Sequence, residues 1–550
     1  MTAGVDARAP WASSERVLLH GGTIYSPVSP FATAMLVEGH EIAWLGEDSA
    51  ARAHRDAAHR VVDLRGALVT PGFVDAHVHT TGTGLALSGL DLTHAESLAE
   101  ALRLLEDHAR LRRGGTILGH GWDETRWPER RPPTRTEIDR ASWGSVVYLS
   151  RVDVHSAAVS SALAASVPGL RHMTGFHDSG PVAQDAHHAV RAAALATIGS
   201  LERRRAQRAA RDRAAALGVV ALHEMAGPSV SGPDDLADLL ELAKSEAGPL
   251  VTGFWGELAS EGGLETALSI GAFAVGGDLS VDGALGSHTA CVHAPYSDLT
   301  DSRGVSYLSA EQVTDHVVAA TRAGLPSGFH VIGDAGCALA LDGLERASSI
   351  LGPDVLRRCL PRLEHAEMLT DDGVAVMARL GVIASMQPMF DALWGGVGGM
   401  YEQRLGADRA ACMNSFADLV RAGVTVAFGS DSPVTSLGPW EAVRAAVHHH
   451  VAAQRLSARA AFSAHTRGGW RAVGDTEAGT LAPGSPAHYA IWSVDEVVVQ
   501  APDERLSAWS TDPRSGTPGL PILTPGASLP ACLRTVAHGA TIFDAGVLEA

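Results

Sequence analysis

From Val17 to Leu68, apolar residues come in short runs closed by turn signals. Val17-Leu18-Leu19 precedes Gly21-Gly22, Ala34 to Val37 precedes Gly39, Ile42 to Leu45 precedes Gly46, and Val61-Val62 follows. Spacing this close predicts a small antiparallel β unit, too thin to bury both faces alone. The same texture returns over Leu481 to Trp492 and Arg534 to Phe543, so the two termini are expected to pair into one β-sandwich. Between Pro71 and Trp470 the pattern changes to helix alternating with strand. Ser97 and Glu100 form a capping box, and Leu98, Leu102 and Leu105 give one face of a helix running to Arg112.

In this central region a helix tail, a glycine and an apolar run follow one another at Gly218, Gly324, Gly381 and Gly423. The glycine suits the left-handed residue that ends a helix, and the β-branched run suits a strand buried on both faces. Repeated βα units with short connections make a parallel sheet. The candidate strands include Thr116–Gly119, Val146–Leu149, Val219–Leu222, Leu250–Phe254, Leu279–Val281, Phe329–Ile332, Arg362–Glu364, Ile383–Met386 and Thr425–Phe428. Eight strands would close a (β/α)8 barrel, with the surplus in insertions; a doubly wound sheet is the alternative. The expected class is therefore α/β, a TIM-like barrel over residues 70–472 with a small β-sandwich built from residues 1–69 and 473–550. Pro502 to Pro530, rich in Pro, Ser and Gly, has no periodicity and reads as a surface excursion.

Composition narrows the function classes. Hydrophobic residues at 46% and charged ones at 19% are too apolar for a disordered chain. With 43 Lys+Arg against 62 Asp+Glu, the net charge of -19 excludes nucleic acid and anionic membranes as partners. Five scattered cysteines without Cys-x-x-Cys spacing argue against a disulfide framework or a thiolate zinc site, and fit a reducing compartment. Met1 to Arg16 lacks the apolar run of a signal peptide, and nothing reads as a membrane span; the expected location is cytoplasmic.

Candidate chemistry starts at Thr70 to His79, Thr-Pro-Gly-Phe-Val-Asp-Ala-His-Val-His. Strand period two puts His77 and His79 on one face, where both rings can meet one metal ion. Among 26 histidines a single such pair is weak evidence. It gains partners in His330 of Gly-Phe-His-Val-Ile-Gly-Asp, His365 of Arg-Leu-Glu-His-Ala, and Asp431 of Phe-Gly-Ser-Asp-Ser-Pro. Each follows an apolar strand and precedes a loop, where barrel enzymes place their chemistry. Four imidazoles and a carboxylate suit zinc, with iron or manganese as alternatives, one or two ions in number.

With these motifs on the page, the chain resembles the amidohydrolase superfamily, in its YtcJ-like branch that also holds N-substituted formamide deformylases. The likeness runs through Gly-Gly-Thr-Ile-Tyr from Gly21, Pro71 to His79, Gly121-Trp122-Asp123, Arg151 to His155, Asp282 to Ser287, His330 to Asp334, Glu364-His365 and Gly429 to Pro433. It implies a barrel, a split β-sandwich, homodimerisation, and hydrolysis of a C-N or similar bond in a small molecule. It also implies that His77, His79, His330, His365 and Asp431 match metal-site positions. One position departs from the pattern. Family members often carry a lysine, carboxylated to bridge two metals, four residues before the aspartate of Asp-Gly-x-Leu-Gly-Ser; here Asp278 stands there. An aspartate can bridge two cations directly, or be a solvated turn residue after Gly276-Gly277. Without a bridge, His77, His79, His330 and Asp431 hold one zinc, and His365 ligates weakly or orients substrate. The expected site is mononuclear, or has one tight and one weak metal.

Such a metal lowers the pKa of bound water to roughly 7 and polarises the scissile carbonyl. Asp431 near that water can take its proton and pass it to the leaving amine, with His365 as its catalytic companion. Candidate substrate-binding residues are Trp122, Asp123, Arg151, His155, His223, Glu224 and His288, each with a packing or loop role as the alternative. The run His448-His449-His450 cannot present three rings to one point and is expected at the surface. The same ligands would serve an aminohydrolase deaminating a heterocycle. A barrel that has lost catalysis and acts as a scaffold is the rival of another class; the kept ligand set argues against it.

Overall fold

The computed structural model describes residues 10–111, 115–152, 154, 156–228, 230–500, 509–510 and 518–548. At its centre lie two four-stranded parallel sheets. The first has β1 (Phe73–Val78), β2 (Val219–Ala226), β3 (Leu250–Trp255) and β4 (Ala274–Val275), each paired with the next. The second has β5 (Gly328–Val331), β6 (Arg362–His365), β7 (Ile383–Met386) and β8 (Val426–Phe428) in the same order. Parallel neighbours need crossovers, and helices supply them: Pro233–Ser245, Gly263–Ile270, Ala310–Ala323, Asp334–Leu351, Asp371–Leu380 and Phe416–Arg421. Helices outside and side chains inside leave β1, β2, β5, β6, β7 and β8 buried at every residue, polar ones included. The sheets meet at both edges. Val275 bridges Ser327 beside β4, and Val78 bridges Ser432 beside β1, giving a barrel-like α/β architecture.

Helix-end glycines sit as the sequence predicts: Gly218, Gly324, Gly381 and Gly423 have φ of 78, 77, 71 and 78°. At Ser97 half of the capping box forms. Its hydroxyl accepts from Glu100 N at 3.1 Å, while the Glu100 carboxylate accepts instead from Glu96 N at 2.9 Å.

Two candidate barrel strands belong elsewhere. Ile117–Trp122 and Val147–Arg151 join Leu90–Asp91, Ser156–Val159 and Val182–Ala183 in a separate five-stranded sheet, inserted between β1 and β2. The fourth central strand is Ala274–Val275, and 279–281 follows it with one bridge, Ser280 to His330.

Strands from both termini share one sheet: Thr23–Ile24, Leu68–Pro71, Tyr489–Ser493, Ala531–Ala537 and Ala540–Asp544, in that order. A four-stranded sheet of Arg16–His20, Ala34–Glu38, Glu41–Gly46 and Arg60–Asp63 packs on it through Leu19, Met35, Ile42, Val69, Ile491 and Val536. Leu68–Pro71 runs straight on into β1. At Gly72 between them a Cβ would lie 2.3 Å from Val220 Cγ1, so only glycine lets the chain pass. Of the 502–530 stretch, 502–508 and 511–517 lie outside the described residues, and the described part is not simply a surface excursion. Leu520–Pro521 pairs with Val497–Gln500, and Leu520 and Leu523 are buried in the central core, because two leucines among prolines still seek apolar cover. The triple-histidine run is also not wholly at the surface. His449 is fully buried, edge-on to Phe416 with ring centroids 5.1 Å apart.

Candidate metal centre

Six side chains converge where the C-terminal ends of the strands meet. His77 ends the inward face of β1 and His79 follows it. Asp278 comes from the loop after β4, His330 from β5, His365 from β6, and Asp431 from the loop after β8. The β1–β8 edge is itself part of the site: His79 N donates to Ser432 O at 3.0 Å and Asp431 N to His77 O at 2.7 Å. Asp431 Oδ1 stands 3.1 Å from His79 Nε2 and 3.4 Å from His77 Nε2. Asp278 faces both sides of the cluster. Its Oδ1 is 3.1 Å from His330 Nδ1 and 3.6 Å from His365 Nε2, and its Oδ2 is 3.5 Å from His79 Nε2. At 14% side-chain exposure Asp278 is not a solvated turn residue.

The donors fit a metal. Atoms of His77, His79 and Asp431, and of His77, Asp278 and His365, form two groups with all members within 4.8 Å of one another. His77 Nε2 and Asp431 Oδ1 are buried with no hydrogen-bond partner, an expensive state that a cation removes. Nitrogen and oxygen donors of this kind are those of zinc, iron or manganese.

The acids and imidazoles of the cluster shift one another's protonation. Burial pushes the Asp278 carboxyl up, but hydrogen bonds from His330 and His365 and the His77 charge bring it well below the ordinary range. Asp431 is likewise lowered, burial being outweighed by His77 and His79. Burial would lower His330, yet Asp278 carries it up to about 9. His77 is raised well above normal, Asp431 and Glu364 overcoming its burial, whereas burial and the His330 charge lower His365. Ligating imidazoles must be neutral, so a metal bound here would displace protons from this cluster.

The far nitrogens are fixed from outside. His77 Nδ1 meets Glu364 Oε2 at 2.8 Å, His79 Nδ1 meets Met225 O at 2.8 Å, and His365 Nδ1 meets Gln387 Oε1 at 2.9 Å. Each contact leaves Nε2 toward the centre, the arrangement that orients metal-bound imidazoles. Glu364 is held by Arg362, whose Nε lies 2.5 Å from Oε1 and whose second guanidinium nitrogen donates to Oε2 at 2.9 Å. Arg362 also donates to Ser385 Oγ at 2.7 Å and to Ala76 O. None of Arg362, Glu364 or Gln387 was singled out as functional from sequence. The available signal was period two in β6, which puts a charged pair, Arg362 and Glu364, on one face of a buried strand. His365 and Asp431 have φ of 64 and 54°, a left-handed backbone uncommon for such residues and often found at functional sites.

Two cavities open from the centre. The smaller, about 250 Å³, reaches His330, His365 and Asp431, with Asp123, Arg151 and Arg404 in its wall. Arg151 Nε donates to Glu124 Oε2 at 3.0 Å and its terminal nitrogen to Asp123 Oδ1 at 3.3 Å. Glu367 and Tyr401, not anticipated, also line it; the Tyr401 hydroxyl donates to Glu367 Oε2 at 2.5 Å, and burial pushes Glu367 up to about 7. The larger, about 670 Å³, reaches His79 and Glu224. Glu224 accepts from Thr80 N at 2.7 Å, and burial raises it to about 7.

Other anticipated residues are not brought to either cavity. Trp122 is buried in the inserted domain's core, its indole donating to Leu149 O at 2.8 Å. His223 turns to Arg362, with 3.0 Å between Nδ1 and the guanidinium. His288 pairs with Asp298 at 3.0 Å. His155 and its neighbour Asp153 lie outside the described residues.

Fold and site together define a metal-dependent hydrolase. The chain belongs to the amidohydrolase family, whose model matches residues 60–543. It is 27% identical over 523 residues to Protein LONG AFTER FAR-RED 3 of Arabidopsis thaliana, covering 87% of each chain. It is 25% identical over 475 residues to the putative amidohydrolase YtcJ of Bacillus subtilis, covering 78% of this chain and 83% of that one. A shorter stretch of 134 residues, 24% of this chain and 25% of the other, is 31% identical to N-substituted formamide deformylase of Arthrobacter pascens. Among solved structures, an uncharacterized metal-dependent hydrolase from Pyrococcus furiosus superposes with a TM-score of 0.70 at 26% identity, over 86% of this chain and 98% of that one.

Proposed function

We propose that this chain hydrolyses a C-N bond in a small organic amide, N-substituted formamide or related compound. The observation that carries the reading is the pair of acids, Asp278 and Asp431, set among four imidazoles, with His77 Nε2 and Asp431 Oδ1 buried 3.4 Å apart and neither making a hydrogen bond. His77, His79 and Asp431 would hold one divalent ion, zinc first among the candidates. His330 and His365 would hold a second, with Asp278 facing both. A metal there supplies Lewis acidity, activating water at neutral pH and polarising the scissile carbonyl. Asp431 accepts the proton of the attacking water and returns it to the leaving nitrogen as the C-N bond breaks. Glu364 keeps the His77 proton on Nδ1, so Nε2 stays a lone-pair donor. Asp123, Arg151 and Glu224 contact the substrate from the two cavities.

This reading takes β1–β8 as a (β/α)8 barrel across residues 70–472, with 1–69 and 473–550 as the sandwich. Product analysis tests it. With an N-substituted formamide, formate and amine are expected in equal amounts, lost on chelation and restored by metal. Release of ammonia from heterocycles without amide cleavage would favour a deaminase instead.

A further inference from the structure

The larger cavity has a build that hydrolysis of a minimal amide does not require. It lies between the mouth of the central strands and the inserted domain, and its walls include Leu85, Leu118, Leu195, Ile198 and Trp255. At about 670 Å³ it exceeds the 250 Å³ cavity over His330 and His365, and falls in the range of ligand-binding sites.

Its charged lining is nearly all ion-paired or hydrogen-bonded within the protein. Arg203 lies 3.4 Å from Asp235 and 2.7 Å from Asp238. Asp235 also accepts from Thr81 and Gln207, each at 2.9 Å. Glu224 takes the Thr80 amide, and Glu257 accepts the Trp255 indole proton at 2.8 Å. His120 lies 3.7 Å from Asp91. Arg191 differs. It lines the cavity from the helix Gln184–Ala196, half-buried, and has no acidic partner among the described residues. A guanidinium beside apolar walls presents a planar fork of donors that matches a carboxylate.

Resting on the hydrolase reading, we infer that this cavity binds the larger part of the substrate, an apolar body ending in a carboxylate that pairs with Arg191. The scissile bond then lies beside His79, which lines the same cavity. The substrate class is an amide whose arylalkyl or alkyl portion carries a terminal carboxylate.

Binding without turnover tests this separately from catalysis. The full-length protein is titrated calorimetrically with 4-phenylbutyrate and with its uncharged counterpart, 4-phenylbutanamide. The wild type is expected to bind the acid about tenfold more tightly. Arg191→Gln should erase that preference, Arg191→Lys, which keeps the charge but not the fork, should keep only part of it, and Leu195→Trp, which fills the cavity, should weaken both ligands by about tenfold or more. Equal affinity for the two ligands, no saturable binding, or a preference that survives Arg191→Gln would overturn the inference; the last would place the carboxylate on the metal. Failure of amide hydrolysis with the Arg191-dependent preference intact would count against the hydrolase reading alone.

Discussion

Asp278 Oδ1 lies 3.1 Å from His330 Nδ1, while the other oxygen of the same carboxylate lies 3.5 Å from His79 Nε2. One side chain thus addresses both halves of the candidate ligand set. If Asp278 joins two ions, Asp278→Ala should lose the second ion and keep the one at His77, His79 and Asp431. Elemental analysis of dialysed wild type and variant checks this. Equal metal content in both would remove Asp278 from the centre.

In the proposed reaction Asp431 carries the proton. Asp431→Asn keeps an oxygen for the ion but cannot accept the proton, so turnover should fall roughly 10²–10⁴-fold with part of the metal retained. Near-wild-type rates under saturating metal would assign proton transfer to another group.

Glu364 links the His77 ring to a buried guanidinium. Its pKa is drawn down to about 2, burial being outweighed by Arg362 and His77. Glu364→Gln should weaken metal binding roughly 10–100-fold through His77. It should also destabilise the fold by roughly 3–5 kcal/mol, since Arg362 is left buried without its counter-charge. Adding Arg362→Met should recover stability in thermal melts without recovering metal affinity. Recovery of both would reduce the pair to a packing role.

Acid should weaken the fold through histidines buried in the neutral form. Burial lowers His465 and His316 to about 4. The unfolded chain takes these protons near pH 6.5 and the folded chain refuses them until about pH 4. Their stabilisation is therefore complete above pH 6.5 and lost as pH falls toward 4, roughly 3 kcal/mol for each. His465→Gln can still donate to Val74 O, which His465 Nδ1 meets at 3.0 Å, so its stability should vary less across that window. Denaturant melts of the two proteins at several pH values check the difference; identical pH dependence would show that His465 is not buried neutral.

Much of this candidate site could be read from the sequence because its histidines end buried strands: His77, His330 and His365 stand at or beside the last residue of β1, β5 and β6. Helix-end glycines were legible for a similarly local reason, the left-handed φ at Gly324 and its counterparts. The inserted sheet was not. Ile117 and Val147 sit in buried apolar runs like those of the central strands, and periodicity does not say which sheet a strand joins. Trp122 and His223 were misleading for the converse reason: a strand end supplies position but not direction, and their side chains satisfy the Leu149 carbonyl and Arg362 instead. The support given to His77 by Glu364 spans 287 residues of chain and becomes visible only once β1 and β6 are placed.

The most direct test of the account measures bound metal and hydrolysis on one sample, across amides, N-substituted formamides, carbamates and lactams, before and after chelation. Stoichiometric divalent metal and cleavage of at least one C-N substrate class are expected, abolished by chelator and restored by adding metal back. A protein that holds no metal and turns over nothing in the panel, or one whose hydrolysis persists after the metal is removed, would contradict it.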